Sequence, residues 1–492
     1  MRLGRRAQGP LSRRRGPLRG RRPANRLRAV DEAELAFAGL ARQAELIAQR
    51  AVSPRELVQT CLDRIERLDG QLNAFRVVFA ERALTEAEQA AARREAGGEG
   101  RPLLGVPVAI KDDTDVAGEV TAWGGEGHGP PAREDAEVVR RLRAAGAIVI
   151  GKTNVPELTI FPFTESRRFG LTRNPWDTGR TPGGSSGGTA AAVAAGLVGA
   201  GLGSDGGGSI RIPAACCGLF GLKTQRDRIS LAPLREQWHG LSVFGPLARR
   251  VRDSALFLDI ASSEAGSPGQ GFREAAGRDP GKLRVAFSNK VPPGLIARVD
   301  PEVRASMEET AGVLSSLGHQ VSWQDPDYGT SAIAFIARYL RGIHDDAHGV
   351  VYPERLEPRT KGMARMGALI SPRLLARARR AEAAHAQRIN RIFEDHDVFV
   401  TPTFARPAVP AGKWEGKGAL VTFNGVARFV PFTAPFNHTG QPAAAIPAGF
   451  SRAGLPLSVQ VVGRPGDEAT LLSLGAQLEA QSGWPDRRPP VS

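Results

Sequence analysis

The chain has 492 residues, 41% of them hydrophobic, and a formal net charge of +15. That length is more than one ordinary core needs, and it excludes a small module held together by disulfides or a metal. The charge does not make the body basic, because eleven arginines and no acid lie in residues 1–28, leaving +4 for the remainder. Cys61, Cys216 and Cys217 offer no disulfide framework and fit a reducing, cytoplasmic compartment. No CxxC or histidine-rich spacing suggests a metal site. The longest apolar tract, Ala190 to Gly203, is too short and too rich in small residues to span a membrane.

Residues 1–28 are Arg, Pro and Gly with almost no large apolar side chain, which predicts a disordered arm. It has no apolar run of the secretory type. It reads either as a tether for RNA or an anionic surface, or as a dispensable tail, and the latter is preferred. From Asp31 the pattern turns helical, with Leu35, Leu40, Ala44 and Ile47 near one face. Ser53-Pro54-Arg55-Glu56 is a capping box with proline at the first helical position. The helix that follows places Cys61 on its apolar face, as core. Phe75 to Phe79 reads as a strand, residues 81–96 as a helix, and Leu104 to Lys111 as a buried strand. A helix over Asp135 to Ala145 precedes the strand Ala147 to Ile150, and this alternation predicts an α/β fold. Residues 29–262 form the core segment. The Gly/Pro/Ser-rich stretch 263–282 reads as a flexible linker. Residues 283–485 supply further strands and a mostly helical region over 331–395, and 486–492 are a tail.

Chemistry concentrates in three places. Lys111 ends an apolar run, and a buried lysine loses its charge and becomes a base. A serine hydroxyl needs such a base to act as a nucleophile. Two serines lie in glycine-rich loops: Ser185 in Gly183-Gly184-Ser185-Ser186-Gly187-Gly188, and Ser209 after Asp205-Gly206-Gly207-Gly208. Glycines let main-chain N–H groups converge on an oxyanion, so Gly206, Gly207, Gly208 and Ser209 are the expected oxyanion hole. Lys152 is a rival base, and an ion pair with Glu157 is the preferred reading of it. Asp112 and Asp113 read as structural, pairing with Arg211 or with groups around Lys111. Asp205 or Asp112 is expected to neutralise Arg211. GGSSGG also matches G-x-S-x-G, for which His438 would be the histidine. Residues 201–206 match G-x-G-x-x-G, but Gly207, Gly208 and Pro213 stand where a dinucleotide-binding helix should continue. His344, His348, His385 and His396 have no ligand spacing. Phe429 to Phe436 could line an acyl pocket or belong to the core.

The order Lys111, GGSSGG and Asp205-Gly-Gly-Gly-Ser-Ile-Arg-Ile-Pro213 resembles the amidase signature family, and the resemblance runs from about Glu34 to Trp484. It implies an α/β/α sandwich, a large mixed central sheet flanked by helices, with a helical cap. It implies hydrolysis of a small-molecule carboxylic amide by a Ser–cis-Ser–Lys set: Ser209 as nucleophile, Ser185 as bridging serine after a cis peptide at Gly184–Ser185, and Lys111 as base. No cofactor or metal is needed for such chemistry. A homodimer is left open, and no nucleic-acid or membrane partner is expected. Gly206 stands where the family has Thr or Ile, which is expected to add flexibility. The segment Gly221 to Arg228 also departs from the family. Alternatives are the glutamine-hydrolysing subunit of a tRNA-dependent amidotransferase and, in another class, a nucleic-acid-binding protein using the basic arm.

Overall fold

The computed structural model describes residues 31–97, 100–263 and 271–492. The arm expected over 1–28 lies outside the described residues, as does 264–270 of the expected linker. Thirteen strands occur among the described residues. In chain order they are β1 (Phe75–Val78), β2 (Pro107–Lys111), β3 (Ile148–Thr153), β4 (Glu165–Ser166), β5 (Gly170–Leu171), β6 (Ala200–Asp205), β7 (Phe220–Lys223), β8 (Val243–Ala248), β9 (Arg284–Phe287), β10 (Gln320–Trp323), β11 (Val398–Pro402), β12 (Ala443–Phe450) and β13 (Pro456–Val462). Eleven of them form one sheet in the order β1-β3-β2-β6-β8-β7-β12-β13-β11-β9-β10, and β4 and β5 form a separate pair. Strands β3, β2 and β6 run parallel at one side, β11, β9 and β10 run parallel at the other, and antiparallel strands join them. The fold is therefore α/β with a large mixed sheet flanked by helices. The sheet takes strands from both halves of the sequence.

Local chemistry explains the elements that place the site. Ser53 accepts from the N–H of Glu56 at 3.1 Å and Glu56 returns the bond to the N–H of Ser53 at 2.8 Å, so the predicted capping box starts the helix Pro54–Leu72. The helix expected from Asp31 is split. Glu32–Phe37 and Gly39–Ala48 meet at Gly39, whose φ is +79°, and a Cβ there would lie 2.1 Å from a carboxylate oxygen of Asp253. Strands β2, β3 and β6 are buried along their whole length, as parallel strands covered on both faces must be. The helix Gly187–Ala194 contains only Gly, Thr, Ala and Val, and all of it is buried. Its small residues let it lie close on β6, where a Cβ at Gly201 would fall 2.5 Å from Thr189.

The second half supplies a helical layer. The helix Ser331–Gly349 packs against the helix Pro358–Ala368, the short helix Ala434–Thr439 and the turn Glu157–Thr159. The expected linker contains structure. Phe272–Ala276 is a helix with Phe272 buried, packed against the helices Val251–Ala261 and Glu468–Ser482. Its one aromatic side chain is enough to dock a stretch that is otherwise Gly- and Pro-rich. The C-terminal residues are also tied down, since Arg249 donates to the carbonyl of Arg487 at 2.6 Å and Val491 N–H to that of Pro175 at 3.3 Å.

Candidate active site

The parallel strands β2 and β6 pair through Ala109↔Gly201 and Ile110↔Leu202, so Lys111 and Ser204-Asp205 leave the sheet at the same carboxyl edge. Open α/β sheets bind their ligands at that edge. The loop Gly183–Ser186 arrives there because it feeds the helix packed on β6. Lys111 is fully buried. Its Nζ donates to Ser185 Oγ at 2.7 Å, to Ser204 Oγ at 2.7 Å and to the Ser204 carbonyl at 3.3 Å. Asp113 Oδ2 lies 3.2 Å from the same nitrogen and accepts from Ser204 Oγ at 2.5 Å. Burial pushes the lysine pKa below its ordinary value, and the Asp113 carboxylate pulls the other way. The Gly184–Ser185 peptide is cis.

Ser209 opens on an apolar cavity of about 90 Å³. The N–H of Ser186 donates to its carbonyl at 3.2 Å, which seats the loop of Ser209 against that of Ser185. The glycine loop before it is rigidly held. Asp205 Oδ1 accepts the N–H of Gly208 at 2.6 Å, and Oδ2 accepts from Ile210 at 3.1 Å and Arg211 at 3.4 Å. Arg211 is buried. It makes a two-pronged contact with Asp205 at 3.0 Å on each oxygen, and donates to the Thr433 carbonyl at 2.9 Å, Gln460 at 2.5 Å and Asn437 at 2.6 Å. Burial opposes the Asp205 charge, but Arg211 outweighs it and holds that carboxyl well below the usual range. Thr433 Oγ1 donates to the Gly207 carbonyl at 2.6 Å. Among the described residues, none accepts from the N–H of Gly206, Gly207 or Ser209.

A family model described as Amidase matches residues 56–472. The chain belongs to the amidase signature family. As a member it is an amidase, a hydrolase of carbon–nitrogen bonds. AmiB2 of Mycobacterium tuberculosis is 55% identical over 464 residues, which is 94% of this chain and 100% of that protein. The 6-aminohexanoate-cyclic-dimer hydrolase of Paenarthrobacter ureafaciens is 34% identical over 480 residues, covering 91% of this chain and 95% of its own. A solved structure of a 6-aminohexanoate cyclic dimer hydrolase with substrate superposes with a TM-score of 0.83 at 31% identity, covering 93% of this chain and 99% of that one.

Within this amidase fold, Lys111 and Ser185 are in direct contact, and Ser209 is tied through its carbonyl to the N–H of Ser186, the residue after Ser185. Gly208 differs from the expected oxyanion hole, because its N–H is already given to Asp205. Gly206 is not loose: a Cβ there would lie 2.6 Å from the Trp238 ring and 2.8 Å from Ser242 Oγ, so the loop is packed. Lys152 does not pair with Glu157. It belongs to β3 and pairs with Ile110, one residue from Lys111, so strand alternation sends it to the opposite face. There it lies 3.0 Å from Asp112 Oδ1 and donates to Thr121 Oγ1 at 2.8 Å and the Val120 carbonyl at 3.1 Å. Asp112 also meets Arg76 at 2.7 Å, so Asp205 alone neutralises Arg211. Glu157 instead accepts the N–H of Glu357 at 2.8 Å.

His438 is no partner for a serine. Its Nδ1 lies 3.1 Å from Arg338 and its Nε2 lies 2.9 Å from His385, and burial together with Arg338 pushes its pKa down to about 3. A helix does follow the G-x-G-x-x-G match, as Arg211–Cys217. Pro213 is tolerated in its first turn, where N–H groups have no helical acceptor. That helix start is filled by the Asp205 carboxylate, not left open to a pyrophosphate. In the segment that departs from the family, Gln225 N–H and the Arg228 guanidinium both donate to Glu468, which fixes the turn. Phe429 stacks on Phe404 and Phe436 meets Phe399 edge to face, so these are core, while Phe161, Phe335, Tyr339, Phe423 and Trp238 line the cavity. Among the described residues no group of three or more His, Cys, Asp or Glu could hold a metal ion, and no helix is long and apolar enough to cross a membrane.

Proposed function

We propose that this amidase cleaves a carboxylic amide through an acyl-enzyme on Ser209, with Lys111 as the base and Ser185 as the relay. The supporting observation is the 2.7 Å contact from Lys111 Nζ to Ser185 Oγ in a site where burial disfavours the ammonium. Neutral Lys111 takes the Ser185 proton while Ser185 takes that of Ser209, and Ser209 Oγ attacks the carbonyl carbon. The oxyanion is met by the N–H groups of Gly206, Gly207 and Ser209. Gly208 contributes by its bond to Asp205, which aims its neighbours. Collapse of the tetrahedral species breaks the C–N bond, and the proton returns from Lys111 through Ser185 to the leaving nitrogen. Water then enters by the same relay and releases the acid. Every group in this cycle is a side chain or main-chain donor of the chain, so no cofactor takes part.

The test is labelling by a fluorophosphonate probe with peptide mapping, together with a panel of aliphatic, aryl and peptide amides. Mapping to Ser209, with loss of label and turnover in Ser209→Ala, is the expected result. An active Ser209→Ala enzyme overturns the assignment.

A further inference from the structure

Two cavities meet at one side chain. Behind the apolar cavity over Ser209, of about 90 Å³, lies a second of about 580 Å³. Among the described residues, Trp238 is the only one that lines both. Its indole Nε1 donates to Asp346 Oδ2 at 2.7 Å, and its ring stands edge-on to Tyr339 with centroids 5.2 Å apart. Two glycines make its slot. A Cβ at Gly206, in the oxyanion loop, would lie 2.6 Å from the indole, and one at Gly342, on the helix Ser331–Gly349, would lie 2.8 Å from it. Beside the ring, Leu158 lines the larger cavity and Thr159 the smaller, both in left-handed backbone with φ of 50° and 58°. Gly206 and Trp238 are therefore a matched pair: a larger side chain at Gly206 has no room under this ring.

The smaller cavity, about 90 Å³ against about 580 Å³, has less than a sixth of the room of its neighbour, so the group it takes is short. Its walls beyond Ser209 and Thr159 are apolar, with no charged side chain. A carboxylate or ammonium placed there would lose its hydration and find no partner. We propose that Trp238 is a partition that sets the length of the group carried on the scissile carbonyl. The native enzyme takes a short, uncharged, apolar acyl group, and the wider cleft on the other side of Trp238, which Asp115, Glu236, Asp345 and Asp346 also line, is the space a longer one would need. This rests on the reading of Ser209 as nucleophile.

The experiment uses straight-chain primary amides from acetamide to octanamide, so that ammonia is always the leaving group, with succinamate as a charged acyl of matched length. For the wild type, kcat/KM should peak below six carbons, fall by at least about tenfold at eight, and be lower still for succinamate. Trp238→Ala should move the optimum to six carbons or more, chiefly through KM. Trp238→Phe, which keeps a ring in the slot, should retain the short optimum. Trp238→Leu serves if the alanine variant does not give a native melting transition. An unchanged length profile in a folded Trp238→Ala or Trp238→Leu enzyme, or a wild-type preference for octanamide or succinamate, overturns the partition while Ser209 labelling stands. Absence of both labelling and turnover overturns the catalytic reading, and the partition with it.

Discussion

The N–H of Gly208 donates to Oδ1 of Asp205 at 2.6 Å, so a buried carboxylate three residues upstream shapes the loop that presents Ser209. The same carboxylate neutralises buried Arg211. Asp205→Asn should do two separable things. Leaving Arg211 without its counter-charge should cost about 3–5 kcal/mol in denaturant unfolding. Loosening the oxyanion donors should lower kcat by about 10²-fold in the protein that remains folded, with KM little changed. A stability loss with native kcat would show that the loop does not depend on Asp205.

Lys111 must be uncharged to work as a base, and its pKa is lowered by burial but raised by Asp113. Activity should therefore rise with pH along an acid limb that lies below the ordinary lysine value. Asp113→Asn removes the group that favours the ammonium, so the limb should move to lower pH. A pH profile of kcat/KM for wild type and variant checks the sign. Lys111→Ala should abolish the limb and lower kcat by about 10⁴-fold.

Lys152 is as buried as Lys111 but has different partners. It faces Asp112 and Arg76, away from Ser185. Lys152→Met should destabilise the fold by about 3 kcal/mol, because Asp112 keeps only one of its cations. Active-site titration with a fluorophosphonate should show kcat per labelled enzyme within about threefold of wild type, since the lysine takes no part in proton transfer.

Asp253 accepts the N–H of Ala41 at 2.8 Å through one oxygen, and burial pushes its pKa up from 3.8 to about 7. The folded state holds this proton more tightly than the unfolded chain does. Its contribution to stability is complete below the unfolded value and is lost as pH rises through about 7. Asp253→Asn keeps the acceptor and cannot ionise. Thermal and denaturant unfolding should match wild type near pH 4 and favour the variant by about 4 kcal/mol near pH 8. Equal pH dependence in both proteins would contradict the buried, protonated state.

Much of the site could be read from the sequence because its signals are local. Lys111 ends an apolar run, as Lys152 and Lys223 also do, and Ser185 and Ser209 announce themselves by their glycines. The pairing of Asp113 near Lys111 is legible in the sequence, but Ser204, which bonds to both, is not, since its arrival depends on the parallel register of β2 against β6. The register of β3 against β2 sends Lys152 to the far face, which no linear spacing reports. Thr433, Asn437 and Gln460 reach Arg211 from more than 200 residues away. Trp238 and the aromatic walls come from separate elements whose convergence is a tertiary fact. Phe429 to Phe436 looked suitable for the pocket, but an aromatic run shows composition and not facing.

The position of β12 and β13 has a consequence for biosynthesis. These strands, the last of the sheet in chain order, sit in the middle of it, with β12 paired to β7 through Ala443↔Lys223. Until they leave the ribosome, β7 presents an open edge and Arg211 lacks the acceptors that Thr433, Asn437 and Gln460 provide. The nascent polypeptide therefore cannot close its sheet, or seat Arg211 beside Asp205 with all its acceptors, before β13 has been made.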